Sequence, residues 1–254
     1  MTATKRTSGS VVGVRVDAVT MNGAVGTILR WVDESLPPRV AVGVNAYVCN
    51  MATTNRRFSS LLDSVDLLYA DGQSVVWAAR LLKIPVTERI ATTDLVDPLM
   101  AACARAGHSV FFFGGKPGVA QQAAQNLAAR HPGLKIRSND GYVSESDTES
   151  LLDSIEGHGT DVLFVGLGDP LQQEWIDRHR GRITAPAILT CGGLFDWMSG
   201  QNIRAPKWMI SAGLEWLWRL IIEPRRLARR YLIGNPVFIA RLAAQLVGTA
   251  VRKR

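Results

Sequence analysis

Hydrophobic positions along the chain fall into two recurring arrangements. Short unbroken apolar runs occur at RVAVGVN (39–45), SVFFFGG (109–115), DVLFVGLG (161–168) and AILTCGG (187–193). Each is rich in β-branched or aromatic residues and ends at Gly or Asn. A strand with one wet face would alternate, so continuous runs predict strands buried on both faces. Between them lie stretches with helical spacing, such as GVAQQAAQNLAARH (118–131) and SESDTESLLDSIEG (144–157). This alternation predicts an α/β fold: a mainly parallel sheet flanked by helices, with right-handed crossovers. Ligands in such sheets sit beyond the carboxyl ends of the strands. Here those ends carry Asn45, Gly114 and Gly115, Gly166 and Gly168, and Gly192 and Gly193. Glycine at a strand exit lets a ligand approach the backbone closely.

The pattern changes near Arg204. KWMISAGLEWLWRLII (207–222) predicts one helix with a wide apolar face, ended or kinked at Glu223-Pro224. RRLARRYLIG follows, its arginines three and four apart and so on a shared helical face. A last amphipathic stretch, 237–251, runs into Arg252-Lys253-Arg254. Two units are expected: an α/β catalytic domain over 1–203 and a helical appendage over 204–254.

Charge sharpens that division. The whole chain of 254 residues is +7, yet eleven Lys/Arg face only two acids (Glu215, Glu223) from Arg204 onward. Residues 1–203 hold eighteen Lys/Arg and twenty Asp/Glu, so the basicity belongs to the tail. A basic tail binds an anion; tryptophans and aliphatics interleaved with the arginines suit a lipid interface better than nucleic acid, for which no recognition signature is present. The apolar tail suits a second subunit as well as lipid. No stretch has eighteen uncharged apolar residues, and PVFIARLAAQLVGTAV is interrupted by Arg241, so no spanning helix is predicted. The N-terminal MTATKRTSGS lacks an apolar leader core, and the three cysteines (Cys49, Cys103, Cys191) form no CxxC pair. Both point to a soluble or peripheral protein in a reducing cytosol.

Several short patterns carry candidate chemistry. FFFGGKPGVAQQAAQ reads as strand, Gly-rich turn and helix start, a place where exposed N–H groups favour a phosphate; a tight βα turn would look the same. LLYADGQSVVW sets Asp71 between an apolar run and a helix, as a helix cap or as a general base in a cleft. GLGDPLQQEWI puts Gln172, Gln173 and Glu174 at a helix start, where amides could read hydroxyls or serve as caps. Asp196 follows another strand exit, in turn-forming company. The four histidines lack metal-ligand spacing, and no Asp-x-Asp pair offers to hold a nucleotide-bound ion, so no metal site is expected.

In order and spacing, a larger set of pieces resembles the WecG/TagA/CpsF family of bacterial glycosyltransferases. They are Asn45, ADG (70–72), ERI and DL (88–90, 94–95), FFFGGKPGVA, HPGL, GY (141–142), GLGDPLQQEWI, GGLFDWMSG, RAP, GLEWLWRL and EPRRLARRY, covering Val14 to Tyr231. The resemblance implies a Rossmann-like domain and an inverting, metal-independent transfer from a UDP-sugar, with no cofactor. The sugar would be of N-acetylmannosamine type or a uronic acid. The acceptor would be a polyprenyl-diphosphate-linked saccharide at the inner face of the cytoplasmic membrane, where the protein would be peripheral. Carried over by position, Asp71 is the catalytic base. Asn45, Arg89 and Gln173 are pocket residues, with Gly114, Gly115 and Gly168 at the substrate-facing strand exits, and Asp196 lies near the nucleotide. Arg219, Arg225 and Arg229 are chosen for the lipid diphosphate, with Arg226 and Arg230 as competitors, because a guanidinium fork holds two phosphate oxygens.

The chain also departs from the family's pattern. Gly43 stands where Thr is usual two residues before the pocket Asn. Thr92 stands where Gly is usual in ERxxGxDL, and Leu171 stands where Lys often precedes the Gln-Glu pair. These departures leave room for a second reading, a non-catalytic, membrane-bound nucleotide-binding module.

Overall fold

The structure is a computed structural model that describes residues 7–34 and 37–251, the side chains of residues 226, 250 and 251 excepted. In chain order the elements are β1 (Ser8–Val11), β2 (Val14–Asp17), α1 (Met21–Asp33), β3 (Arg39–Val44), α2 (Ala46–Thr54), α3 (Arg56–Asp63), β4 (Leu67–Ala70), α4 (Gln73–Leu81), α5 (Thr92–Ala106), β5 (Ser109–Gly114) and α6 (Val119–Arg130). There follow β6 (Lys135–Asn139), α7 (Thr148–Gly157), β7 (Val162–Gly166), α8 (Leu171–His179), β8 (Ala187–Thr190), α9 (Leu194–Met198), α10 (Lys207–Ser211), α11 (Glu215–Ile222), α12 (Pro224–Ala228), a π-helical turn (Arg229–Ile233) and α13 (Gly234–Val251).

Six strands form one parallel sheet in the order β4-β3-β8-β7-β5-β6. The period of two sorts each buried run onto both faces. Val40, Val42, Val44, Phe111, Phe113, Leu163 and Val165 pack on one face; Ala41, Val110, Phe112, Val162 and Phe164 pack on the other. That is why these strands read as unbroken apolar runs.

The sheet order sets where a ligand can enter. β5 leads into α6, whose Val119, Ala123 and Leu127 join one core cluster. Its neighbour β7 leads into α8, whose Ile176 joins the cluster on the opposite face. Chain connections leaving adjacent strands toward opposite faces open a crevice at their carboxyl ends.

Two further elements differ from the sequence pattern. Residues 8–17 form a hairpin that the apolar runs do not announce. Its turn holds Val12 at φ 50° and Gly13 at φ 83°, a left-handed pair that suits a two-residue hairpin but strains a β-branched residue. Val12 is buried, and its N–H donates to Gln245 Oε1 at 2.7 Å, which compensates. The single helix expected over 207–222 is instead two, α10 and α11, divided at Gly213. Gly213 has φ 73°, its N–H donates to Ile210 O and the Leu214 N–H donates to Met209 O, so α10 ends there in a left-handed cap. The break at Glu223-Pro224 is as expected: Glu223 leaves helical geometry and Pro224 opens α12.

The tail packs on the α/β domain. Leu227, Phe238 and Leu242 are buried, the last two in the cluster that also holds Val48 and Cys49 of α2. Arg241 donates to Asn50 O and Oδ1 at 3.1 and 2.9 Å, Asn50 Nδ2 donates to Gly234 O at 2.7 Å, and Gln245 Nε2 donates to Ser10 O at 2.7 Å. Among the described residues one helix, Arg229–Thr249, is long and apolar enough to cross a membrane, which the interruption at Arg241 did not predict. That arginine and Gln245 are spent on docking the helix lengthwise along α2 and the hairpin.

Candidate functional site

Two cavities open at the carboxyl edge of the sheet. The first, about 720 Å³, lies at the β5/β7 crevice. Its floor is made by glycines from three strand exits. Gly114 has φ 136°, and a Cβ there would lie 2.4 Å from Gly166 O. A Cβ on Gly141 would lie 3.0 Å from Leu167 Cδ2 and 3.2 Å from Gly114 Cα, and the Gly141 N–H donates to Gly115 O at 2.9 Å. Side chains at these positions would fill the crevice. Around this floor stand Lys116 and Tyr142, the Trp175 ring, Asp196 of α9, and Asn202, whose amide donates to Glu223 Oε1 of the tail at 3.2 Å. The cavity thus combines backbone, two cations (Lys116, Arg178), three acids (Glu174, Asp196, Glu223) and polar and aromatic groups able to read a base or a sugar.

The second cavity, about 670 Å³, lies over the ends of β3 and β4 with the tail as its outer wall. Asp71 and Asn45 are on its floor. Asn45 caps α2: its Oδ1 accepts from the N–H groups of Tyr47 and Val48 at 3.0 and 3.2 Å. That turns its Nδ2 toward Asp71 Oδ2, 3.5 Å away. Asp71 does not cap the helix that follows it. The N-cap of α4 is Gly72, with no side-chain bond. Asp71 Oδ1 accepts from the N–H of Thr92, the first residue of α5, at 2.8 Å. The N-terminal end of α5 therefore faces this carboxylate.

Across the cavity the tail presents Glu215, Arg219 and Arg230. Glu215 is only 4% exposed and bonds Arg89 at 2.9 Å and Arg219 at 3.3 Å. Arg89 also pairs with Asp94 at 3.4 Å, and Asp94 pairs with Arg204. Burial opposes ionisation of Glu215, but Arg219, Arg89 and Arg204 together outweigh it and hold its pKa below the usual glutamate value. Burial likewise opposes the charge of Arg89, and Glu215, Asp71 and Asp94 outweigh it. This chain of ion pairs ties α11 to the loop ahead of α5 and fixes two guanidiniums at the cavity. Arg219 stacks on Trp197, 4.7 Å from the ring centre. Arg230 lies over Tyr47 at 4.4 Å and donates to Asn45 Oδ1 at 3.4 Å. Apolar side chains, Trp77, Leu81, Trp216, Leu232, Phe238 and Ile239, make up much of the remaining wall. Trp77, Leu81, Leu232 and Ile239 are half or more exposed, so the mouth of the cavity is a greasy rim.

The structure therefore gathers Asn45, Asp71, Arg89 and Arg219 in one cavity, and Gly115 and Asp196 in the other. Gly114 abuts the Gly166 backbone and lines neither cavity. Gly168, at φ 80°, makes the turn into α8 and lines neither cavity. Gln173 is buried outside both: its Nε2 donates to Asp169 Oδ1 at 2.6 Å, and Gln172 bonds the same oxygen and accepts from the Gly192 N–H, tying β7 to β8. Arg225 and Arg229 are exposed and line neither cavity. Arg230, within the π-helical turn, is the tail arginine that meets Asn45. The side chain of Arg226 lies outside the described residues. Sequence reasoning missed Glu215 as a site residue; its signal was an acid isolated among eleven cations.

A model of the glycosyl transferase WecG/TagA/CpsF family matches residues 9–252. The chain is 30% identical over 234 residues to the N-acetylglucosaminyldiphosphoundecaprenol N-acetyl-beta-D-mannosaminyltransferase of Staphylococcus aureus strain MRSA252, covering 92% of this chain and 91% of that protein. It is 29% identical, with the same coverage, to the enzyme of that name from strain NCTC 8325 / PS 47.

Proposed function

The chain belongs to the WecG/TagA/CpsF family and is a glycosyltransferase, and we propose that it moves a sugar from a UDP-sugar to a polyprenyl-diphosphate-linked saccharide in cell-wall or exopolysaccharide synthesis. The sugar in this reading is of N-acetylmannosamine type or a uronic acid. The observation that carries it is the second cavity: one carboxylate, Asp71, on the floor of a space walled by fixed arginines and an apolar tail. A saccharide hydroxyl needs a base, a diphosphate needs guanidiniums, and a polyprenyl chain needs a greasy rim; the cavity offers all three. The relatives' printed name describes an acceptor of that composition.

The donor in this reading occupies the β5/β7 crevice, with the diphosphate over the glycine floor near Lys116 and the start of α6, and the base beside Asp196 and Asn202. Asp71 Oδ2 takes the proton from the acceptor hydroxyl as that oxygen attacks the anomeric carbon. The bond from that carbon to the UDP oxygen breaks, and UDP leaves with the electron pair. One displacement inverts the anomeric centre.

The tail also supports a membrane-surface site for the reaction. Trp208, Ile221, Leu232, Ile233, Ile239 and Val247 are all more than half exposed. With Arg229 and Arg225 alongside, they make an apolar face fringed by cations, the composition of a helix lying in the lipid interface. UDP release measured over a panel of UDP-sugars with synthetic polyprenyl-diphosphate acceptors tests the function. Acceptor-dependent release with one donor is expected. UDP binding without transfer across the panel would instead favour a non-catalytic nucleotide-binding module.

A further inference from the structure

We propose that Thr92 positions the Asp71 base by passing on a hydrogen bond from the buried Tyr69 hydroxyl, so that Oδ1 is held and Oδ2 alone takes the substrate proton. This rests on the reading of Asp71 as the base.

Three distances carry it. The Thr92 N–H donates to Asp71 Oδ1 at 2.8 Å, Thr92 Oγ1 lies 3.4 Å from the same oxygen, and the Tyr69 hydroxyl lies 2.8 Å from Thr92 Oγ1. An ionised carboxylate has no proton to give. In the proposed relay the Thr92 hydroxyl donates to Asp71 Oδ1 and its lone pair accepts from the Tyr69 hydroxyl. Tyr69 is fully buried. Burial, and then the charge of Asp71, push its phenol well above the ordinary value, so it remains a donor at any working pH. Oδ1 is thus occupied by two donors from Thr92, while Oδ2 has the long contact to Asn45 and the open cavity.

Gly43 makes room for this arrangement. A Cβ there would lie 2.9 Å from Asp71 Cβ, 3.1 Å from Tyr69 Cε2 and 3.2 Å from Thr92 Oγ1. A side chain at 43 and the Thr92 hydroxyl compete for one space beside the base. Glycine at 43 thus leaves the space that the Thr92 hydroxyl occupies beside Asp71.

The groups facing Asp71 from the surrounding elements are Tyr69 on β4, Arg89 ahead of α5, Glu215 and Arg219 on α11, and Arg230 on the π-helical turn. Cys191, after β8, faces Tyr69. None of these changes in Thr92→Val, which keeps the side chain's shape and removes the hydroxyl. Turnover against pH, with KM for donor and acceptor, is to be measured for the wild type, Thr92→Val, Thr92→Ser, Tyr69→Phe and Asp71→Asn. Thr92→Val is expected to lose about ten- to hundredfold in kcat with both KM values nearly unchanged. Its acid limb moves to higher pH, because a donor to the carboxylate has gone. Thr92→Ser restores most of the rate, and Tyr69→Phe moves the limb the same way by less. Should Thr92→Val not fold, Tyr69→Phe and Thr92→Ser decide: an unmoved acid limb in Tyr69→Phe overturns the relay. An inactive Asp71→Asn beside a Thr92→Val with wild-type kcat and acid limb overturns the relay alone. A fully active Asp71→Asn overturns the base assignment and the relay with it.

Discussion

The two cavities at the edge of the sheet are of nearly equal size but are built by opposite means. The β5/β7 crevice is shaped by backbone: glycines from β5, β7 and the β6 exit lie so close that no Cβ fits among them. The Asp71 cavity is shaped by side chains from α2, the exit of β4, α4, the loop ahead of α5, and three segments of the tail. Backbone walls suit a ligand part common to many donors, a nucleoside diphosphate. Side-chain walls, one of them an appendage held by ion pairs, suit a ligand that arrives on a lipid. The same division predicts which changes spare which cavity.

The largest effect belongs to Asp71→Asn. Turnover should fall by about 10²- to 10⁴-fold, the usual range for a lost general base, while UDP affinity in the other cavity stays within about twofold. Kinetics paired with calorimetric UDP titration reads both. Next comes Gly114→Ala. Its Cβ would meet Gly166 O at 2.4 Å in a backbone conformation that L side chains rarely adopt, so loss of UDP binding and a destabilisation of about 2–3 kcal/mol are expected in thermal melts. Unchanged UDP affinity would remove the crevice as the donor site.

Glu215→Gln acts on the other cavity. It strips the carboxylate from between Arg89 and Arg219, leaving both guanidiniums short of a partner, and should cost on the order of 1–3 kcal/mol and raise the acceptor KM more than the donor KM. The pH dependence follows from the same residue. Its folded pKa is depressed, so its contribution is complete above the unfolded value of about 4.3 and is lost as pH falls through the lower folded value. Hydrogen exchange in α11 should therefore rise on acidification below that range in the wild type, and show no such rise in Glu215→Gln. The smallest effect is that of Arg225→Gln with Arg229→Gln. Both side chains are exposed, and sedimentation with anionic vesicles should weaken by about 1 kcal/mol per arginine, with transfer to a detergent-dispersed acceptor unchanged.

How much was legible in the sequence follows the same line. The β5/β7 crevice could be read because each wall is contiguous: an apolar run, its glycine exit and the next helix appear in order along the chain, as in FFFGGKPGVA. The sheet was readable for the same reason, except where strands are short or half-buried, as in the β1–β2 hairpin and β6. The Asp71 cavity draws on residues as far apart as Asn45 and Leu242, with Asn45 meeting Arg230 185 positions on, and no local pattern fixes their meeting. Asp71 was separable from a helix cap only once Thr92, on another helix, was found to donate to it. In the tail the arginine spacing was visible, but it could not tell which of Arg225, Arg226, Arg229 and Arg230 turns toward Asn45; Arg230 does. Gln173 stood at a helix start, as a ligand-reading amide would, and is instead bonded to Asp169.

The central claim is that the tail's Arg219 and Arg230 complete the acceptor site. The most direct test is the KM for each substrate in Arg219→Met with Arg230→Met, compared with the wild type at saturating concentration of the other substrate. The account predicts an acceptor KM raised at least about tenfold, the equivalent of ~1.4 kcal/mol for two lost phosphate contacts, with a donor KM within about twofold. An unchanged acceptor KM, or a donor KM that rises in its place, would contradict it.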